Sequence, residues 1–252
     1  MEYRYVKVGS HDSIGLVEMD RKHELNALSL GMIEELNHVF KVFITEADDV
    51  RLVVFTGGDA CFSTGMDIKE MPSLSDADLA RYFKLTMDLY TLLMSYPKIL
   101  ITAVSGIAFG GGFNLSMMGD IIIASEGAIF GHPEIKYGFN PLLAPLVARI
   151  GVAKTKELTL TGEPIGAKEA YSIGLVNRVV PPESFKEITQ EWARKLSDME
   201  PEAVRGLKRA FDVVTRLDSR AAIEYELEMT ALFLSKGETK EHIREKFPEK
   251  HE

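Results

Sequence analysis

The sequence predicts an α/β core followed by an α-helical C-terminal region. Three observations carry that expectation. Short apolar, β-branched runs alternate with segments of helical periodicity up to about residue 180. Beyond Pro181-Pro182 the apolar residues recur only at helical spacing, among many charges. Two of the strand-like runs stop on glycine-rich turns, Gly57-Gly58 and Gly110-Gly111-Gly112. We therefore expect a core over residues 1–181 and a helical region over 182–252, the latter an appendage or an oligomer arm.

The elements follow in order. Tyr3, Tyr5, Val6 and Val8 make a short strand, Gly9 to Ser13 a turn, and Ile14 to Met19 the returning strand of a hairpin. Residues 20–28 read as a polar loop. Ser29 is an N-cap for a helix to about Thr45, with Met32, Ile33, Leu36, Val39, Phe40 and Phe43 at helical spacing. Val50 to Thr56 is a buried strand. The stretch after it, with Ser63, Thr64 and Gly65, is a second place where backbone N–H groups can face outward. A long helix, about Asp76 to Ser95, ends before Pro97. Ile99 to Val104 is a strand that breaks on the three glycines, and Phe113 to Met117 opens a buried helix. Ile121 to Ala124 and Ala128 to Phe130 are short strands. Helices are expected at about 142–150, 153–161 and 166–173, then a strand from Val176 to Val180.

Composition narrows the function. The chain has 252 residues, 46% hydrophobic and 27% charged, which suits an ordinary globular protein. Its net charge of −9 argues against nucleic acid and anionic membranes as partners. The N-terminal residues lack the apolar stretch of a signal peptide, and no apolar run reaches the roughly 18 residues of a membrane span. The lone cysteine, Cys61, permits neither an internal disulfide nor a cysteine metal cage and reads as a small buried hydrophobe. Together these features predict a cytoplasmic protein. His23 and His132 have no companion ligands at metal spacing, so no metal site is expected.

The two glycine-rich turns are the place to look for chemistry. Glycine lets a ligand approach the main chain closely, and unpaired N–H groups at a strand end or helix start can hold an anionic oxygen. Two such turns converging on one oxygen would suit an enolate or a tetrahedral oxyanion. Losing one donor of such a pair costs roughly 10²–10³ in rate. Neither turn matches a Walker loop or a GxGxxG fingerprint. Glu134, beside Pro133 in a polar loop, reads by itself as a solvated surface carboxylate or, buried beside apolar Phe139, Leu142 and Leu143, as a proton carrier.

Five stretches carry a resemblance. They are Asn26-Ala27-Leu28-Ser29, CFSTGMDIKE (61–70), SGIAFGGGFNLSMMGDIIIAS (105–125), FGHPEIKYGFNP (130–141) and LTLTGEPIGAKEAYSIGLVNRVVP (158–181). In order and spacing they resemble the crotonase, or enoyl-CoA hydratase/isomerase, superfamily over nearly the whole chain. The resemblance implies a crotonase-like ββα spiral core and a C-terminal helical trimerisation region, giving a homotrimer or a dimer of trimers. It implies an acyl-CoA thioester substrate and no separate cofactor, coenzyme A being part of the substrate. By position, the backbone N–H groups of Met66 and Gly111 are the two oxyanion donors, with Thr64, Gly65 and Gly110 beside them as substrate-binding positions. Glu24, Leu25 and Ala27 line one side of the groove for the adenine and pantetheine, and Ile68 and Lys69 the other. Asp67 either touches ligand or caps the turn after Gly65.

The resemblance also exposes two departures. Hydratases of the superfamily use two glutamates. Glu134 matches the second, but Asn114 stands at the first, and an amide exchanges no proton near neutral pH. A single carboxylate suits the enoyl-CoA isomerases, in which one glutamate carries a proton between α and γ carbons. Hydration through Glu134 with Asn114 orienting water, hydrolysis or C–C cleavage at the same oxyanion site, and a non-catalytic CoA-ester-binding protein are the alternatives. The second departure is LLAPLVARIG after Pro141, a shorter and more apolar turn that reshapes the acyl pocket. Tyr137 is a candidate secondary acid, and Lys246 and Lys250 candidate contacts to a CoA phosphate.

Overall fold

The structure, a computed structural model, describes residues 3–47 and 49–247. Its chain divides into two compact units after Asp198.

The first unit is built on a six-stranded sheet. Strands β1 (Val6–His11), β2 (Ile14–Met19), β3 (Leu52–Thr56), β4 (Ile99–Val104), β6 (Ile121–Ser125) and β9 (Arg178–Val180) lie side by side in that order. Only the β1–β2 hairpin is antiparallel; every later pair is parallel. The hairpin turn is tighter than expected. Gly9 to His11 stay in β1, and only Asp12 and Ser13, both at positive φ, make the reversal. A second sheet holds β5 (Ile107–Phe109), β7 (Ile129–Gly131) and β8 (Ile165–Gly166). The run over 99–109 is thus two strands, not one. Gly106, at φ +63°, turns the chain from the large sheet into the small one.

Over β3, β4 and β6 the large sheet is covered on both faces, which explains why those strands read as continuous apolar runs. Along β3, Val53 and Phe55 enter one core and Leu52 and Val54 the other, as the period of two requires. The first core is closed by α1 (Leu30–Thr45), α2 (Asp76–Met94) and α3 (Gly111–Ser116). Ser29 caps α1 as expected, its hydroxyl accepting from Met32 N–H. The helices expected at about 142–150 and 153–161 are both present within α4 (Ala144–Thr161), which is two helices meeting at a kink at Gly151, where φ is +74°. Helix α5 (Ala167–Ser172) precedes β9.

The second core belongs to α6 (Phe185–Ser197), whose Phe185 and Ala193 pack against Leu52, Val54 and Ile101. This corrects the expected boundary at 181/182. Helix α6 is the outer layer of the sheet, so the first unit runs to Asp198. The charged exterior of α6 made it look like part of the tail.

The second unit contains α7 (Pro201–Val214), α8 (Ser219–Ser235) and α9 (Gly237–Lys246). Asp218 caps α8, and the Phe233 ring occupies the space that a side chain on Gly206 would fill. Leu207, Phe211, Leu227 and Leu232 are all more than half exposed. Lys246 ends α9, and Lys250 lies outside the described residues.

Candidate active site

Strands β3 and β4 are neighbours in register, Thr56 beside Ala103, so both glycine-rich turns leave the same end of the sheet. Open parallel sheets place their ligands at that end. The Thr56 hydroxyl donates to Ala103 C=O at 2.8 Å and accepts from Gly58 N–H, tying the two exits together.

From there the chain builds three adjacent rungs. The middle rung is the stretch 63–67. On one side Ser63 N–H donates to Ile107 C=O, and Phe109 N–H donates to Ser63 C=O. On the other side Leu28 N–H donates to Gly65 C=O, and Asp67 N–H to Leu28 C=O. Met66 sits between those last two bonds. In extended backbone successive N–H groups point to opposite edges, so Met66 N–H faces away from Leu28. The third rung continues through Gly110 into Gly111. Gly65 must be glycine here. Its φ is +87°, and a Cβ would come within 2.7 Å of Phe109 O and 2.8 Å of Gly111 N.

The outer rung is held by Asn26, fully buried, whose amide donates to Gly57 C=O and Cys61 C=O and whose Oδ1 accepts from Arg21 N–H. Asp67 closes the middle rung. Its Oδ1 accepts from Lys69 and Glu70 N–H, and its Oδ2 pairs with Arg21 at 2.5 Å. Burial opposes the Asp67 charge, but the Arg21 guanidinium and the two N–H donors outweigh it and hold the carboxyl below its ordinary range. Of the two roles open to Asp67, the structure shows the cap.

The rungs form one wall of a cavity of about 1120 Å³, large enough for an extended ligand. Met66, Gly110, Gly111, Asn114 and Glu134 all line it. So do Glu24, Leu25, Ala27, Thr64, Asp67, Ile68 and Lys69, with Leu25 and Ile68 strongly exposed. Gly65 alone among the predicted positions is not on the wall; it lies behind, against Gly111.

The opposite wall is made of side chains. A 3-10 turn over Pro133–Tyr137 carries Glu134, which is buried. The turn folds Glu134 back on His132, whose Nδ1 lies 3.2 and 3.3 Å from the two carboxylate oxygens. His132 is fully buried beside Phe113, ring centroids 4.7 Å apart, and its Nε2 has no partner among the described residues. A Cβ on Gly110 would stand 3.2 Å from Glu134 Oε1, so the carboxylate rests against the glycine turn. Helix α2 adds Tyr82, Phe83, Thr86 and Tyr90. The Tyr90 hydroxyl donates to Gly111 C=O at 3.4 Å. Burial, with the Glu134 charge adding to it, pushes the Tyr90 phenol up to about 12.

The sequence profile described as enoyl-CoA hydratase/isomerase matches residues 9–252. The chain belongs to the enoyl-CoA hydratase/isomerase family. It is 39% identical over 225 residues to a probable mitochondrial enoyl-CoA hydratase of Dictyostelium discoideum, covering 86% of this chain and 78% of that one. It is 36% identical over 230 residues to a probable enoyl-CoA hydratase of Rhizobium meliloti, covering 90% and 88%. Among solved structures, an enoyl-CoA hydratase from Bacillus anthracis superposes with a TM-score of 0.89 at 29% identity, over 96% of this chain and 95% of that one.

For this family member the crotonase fold is as expected. The ββα unit is visible where β4, β5 and α3 follow one another, and again where β6 and β7 lead into the turn of Glu134. Sequence reasoning missed two parts of the cavity. One is the α2 face, legible afterwards as Tyr82, Thr86 and Tyr90 at spacings of four. The other is His132, weighed only as a metal ligand, whose partner is the carboxylate two residues on. Tyr137 lines the cavity but is 69% exposed. Among the described residues, no helix is long and apolar enough to cross a membrane.

Proposed function

We propose that the enzyme acts on an enoyl-CoA thioester as a hydratase or isomerase. The N–H groups of Met66 and Gly111 receive the charge that develops on the thioester oxygen, and Glu134 carries the proton. One observation supports this above the others. Two backbone segments from different strand ends lie side by side on a cavity wall, with a buried carboxylate resting against Gly110. Fixed N–H donors stabilise an enolate without reorganising, and a carboxylate next to them can take or return an α-proton.

Coenzyme A enters as part of the substrate. Its adenine and pantetheine run over the exposed rim made by Leu25, Ile68 and Lys69. The exposed apolar residues of α7 and α8 are the surface that a homotrimer, alone or paired with another, would cover. The protein works in the cytoplasm, in keeping with its single cysteine.

Glu134→Gln tests the reading. The amide keeps the shape of the side chain but neither takes up nor releases a proton near neutral pH, so turnover of an enoyl-CoA should fall about 10³-fold while the thioester still binds. Unchanged turnover, measured by the loss of enoyl absorbance, would remove Glu134 from the mechanism.

A further inference from the structure

Glu134 is a long side chain and a buried one, yet among the described residues a single side chain hydrogen-bonds its carboxylate. That side chain is His132, with Nδ1 close to both oxygens, 3.2 Å from Oε1 and 3.3 Å from Oε2. The pairing is built into the chain. Residues two apart do not face each other in a helix. His132 precedes Pro133, which disfavours the helical region for it, and its φ of −116° and ψ of 80° lie outside that region. Glu134 is already inside the 3-10 turn that Pro133 opens. The change of conformation at the proline brings the two side chains together. Burial beside Phe113 then keeps the imidazole in place. Gly110 gives the carboxylate clearance, since a Cβ there would crowd Oε1.

The hydrogen in this contact belongs to the imidazole. An ionised carboxylate only accepts, so Nδ1 carries the N–H. The other ring nitrogen, Nε2, is buried and has no partner among the described residues. A hydrogen there would be a buried donor without an acceptor, on a charged ring; a bare lone pair costs less. The ring is therefore the neutral Nδ1–H tautomer. Its one basic atom is then Nε2, which the ring geometry directs away from Glu134. A proton taken by Glu134 has no route onto the imidazole.

We infer that His132 is a positioning residue: its neutral Nδ1–H fixes the Glu134 carboxylate beside Gly110, and it neither receives nor relays the proton that Glu134 carries. This rests on the enolate reading above and deepens it. In the transfer the α-C–H bond breaks, its electron pair passes into the enolate, and an O–H bond forms on Glu134. Return of that proton to carbon reverses the step. The imidazole keeps its own hydrogen throughout.

The test is exchange of the α-hydrogens of butyryl-CoA in D2O by the full-length enzyme. The thioester is saturated, so the measurement is the same for a hydratase and an isomerase. His132→Phe keeps a ring beside Phe113 and removes the donor. His132→Asn gives up the ring but places an amide N–H near the position of Nδ1, and an amide exchanges no proton near neutral pH. For a positioning residue, His132→Phe should lower kcat for exchange about 10–100-fold with KM little changed, the worth of one hydrogen bond to a charged group. His132→Asn should then recover exchange to within about fivefold of the wild type. Equal loss in the two variants is the mark of a relay, and His132→Phe the more active of the two is the mark of packing. Either result would overturn the inference.

Two-bond 1H–15N NMR of the wild-type enzyme gives a reading independent of activity and of whether a His132 variant folds. The histidine signals that Glu134→Gln moves most should show hydrogen on Nδ1 alone. Hydrogen on Nε2, or on both nitrogens, would overturn the neutral donor. Exchange lost in Glu134→Gln but kept in His132→Phe would overturn the positioning role and spare the enolate reading. Exchange kept in Glu134→Gln would overturn the enolate reading and the inference with it.

Discussion

The two walls of the cavity are built from different material. One is main chain: the rungs at 25–28, 63–67 and 107–111, cross-bonded through Ser63, Gly65 and Leu28. The other is side chain: Glu134 with His132, then Asn114 and Tyr90. A main-chain donor is independent of the side chain it carries, but it depends wholly on how closely the segments approach. A side-chain group has the reverse sensitivity. Substitutions on the first wall should therefore cost stability and activity together. Those on the second should change activity while leaving the fold alone.

Gly65→Ala should have the largest effect of the variants that leave Glu134 in place. The new Cβ would meet Phe109 O and Gly111 N at distances no real contact shows, at a φ that L residues rarely adopt. The rungs must separate, and Met66 and Gly111 with them. We expect kcat/KM to fall about 100-fold, the cost of a misplaced oxyanion donor. A loss of about 1–3 kcal/mol in urea unfolding should accompany it. Activity lost with stability intact would break the comparison, since it would show that the rungs tolerate the extra atom.

His132→Phe probes the other wall. A phenyl ring keeps the contact with Phe113 but removes the Nδ1 donor that faces both oxygens of Glu134. A hydrogen bond to a charged group is worth about 1.5–3 kcal/mol, so kcat should drop about 10–100-fold with KM little changed. The unpartnered Nε2 disappears too, which offsets part of the bond that the buried Glu134 loses, so the melting temperature should change little. A lower melting temperature would place His132 among the supports of the fold and blur the division between the walls.

The same division decided what could be read from the sequence. The main-chain wall announces itself through glycines whose φ or close backbone neighbours exclude a side chain, Gly65, Gly110 and Gly112. Glu134 and Asn114 were located by motif. Tyr90 was not, because a long amphipathic helix offers several faces, and which one meets a cavity depends on tertiary packing. The three-residue strand β5 was hidden for another reason: three residues are too few to show a period of two. Helix α6 was assigned to the tail because its apolar face, with Phe185, Ile188, Trp192, Ala193 and Leu196, has the same helical period as the helices after it, and only tertiary packing sets it on the sheet.

The smallest effect belongs to a side chain that serves the main-chain wall. Asp67 is 5% exposed and holds the turn after Met66 through Lys69 and Glu70 N–H, with Arg21 as its counter-charge. Asp67→Asn keeps an oxygen for the N–H groups and removes the charge opposite Arg21. At neutral pH the variant should be less stable by about 1–2 kcal/mol, one charged hydrogen bond partly replaced. The difference has a definite pH signature. Because the folded carboxyl titrates below its ordinary 3.8, its stabilisation is complete above that value and is lost as pH falls through the lower, folded one. Unfolding curves of the two proteins should thus converge in acid and separate above about pH 4. A gap that persists unchanged into acid would mean that the cap, and not the charge on Asp67, steadies the rung that carries Met66.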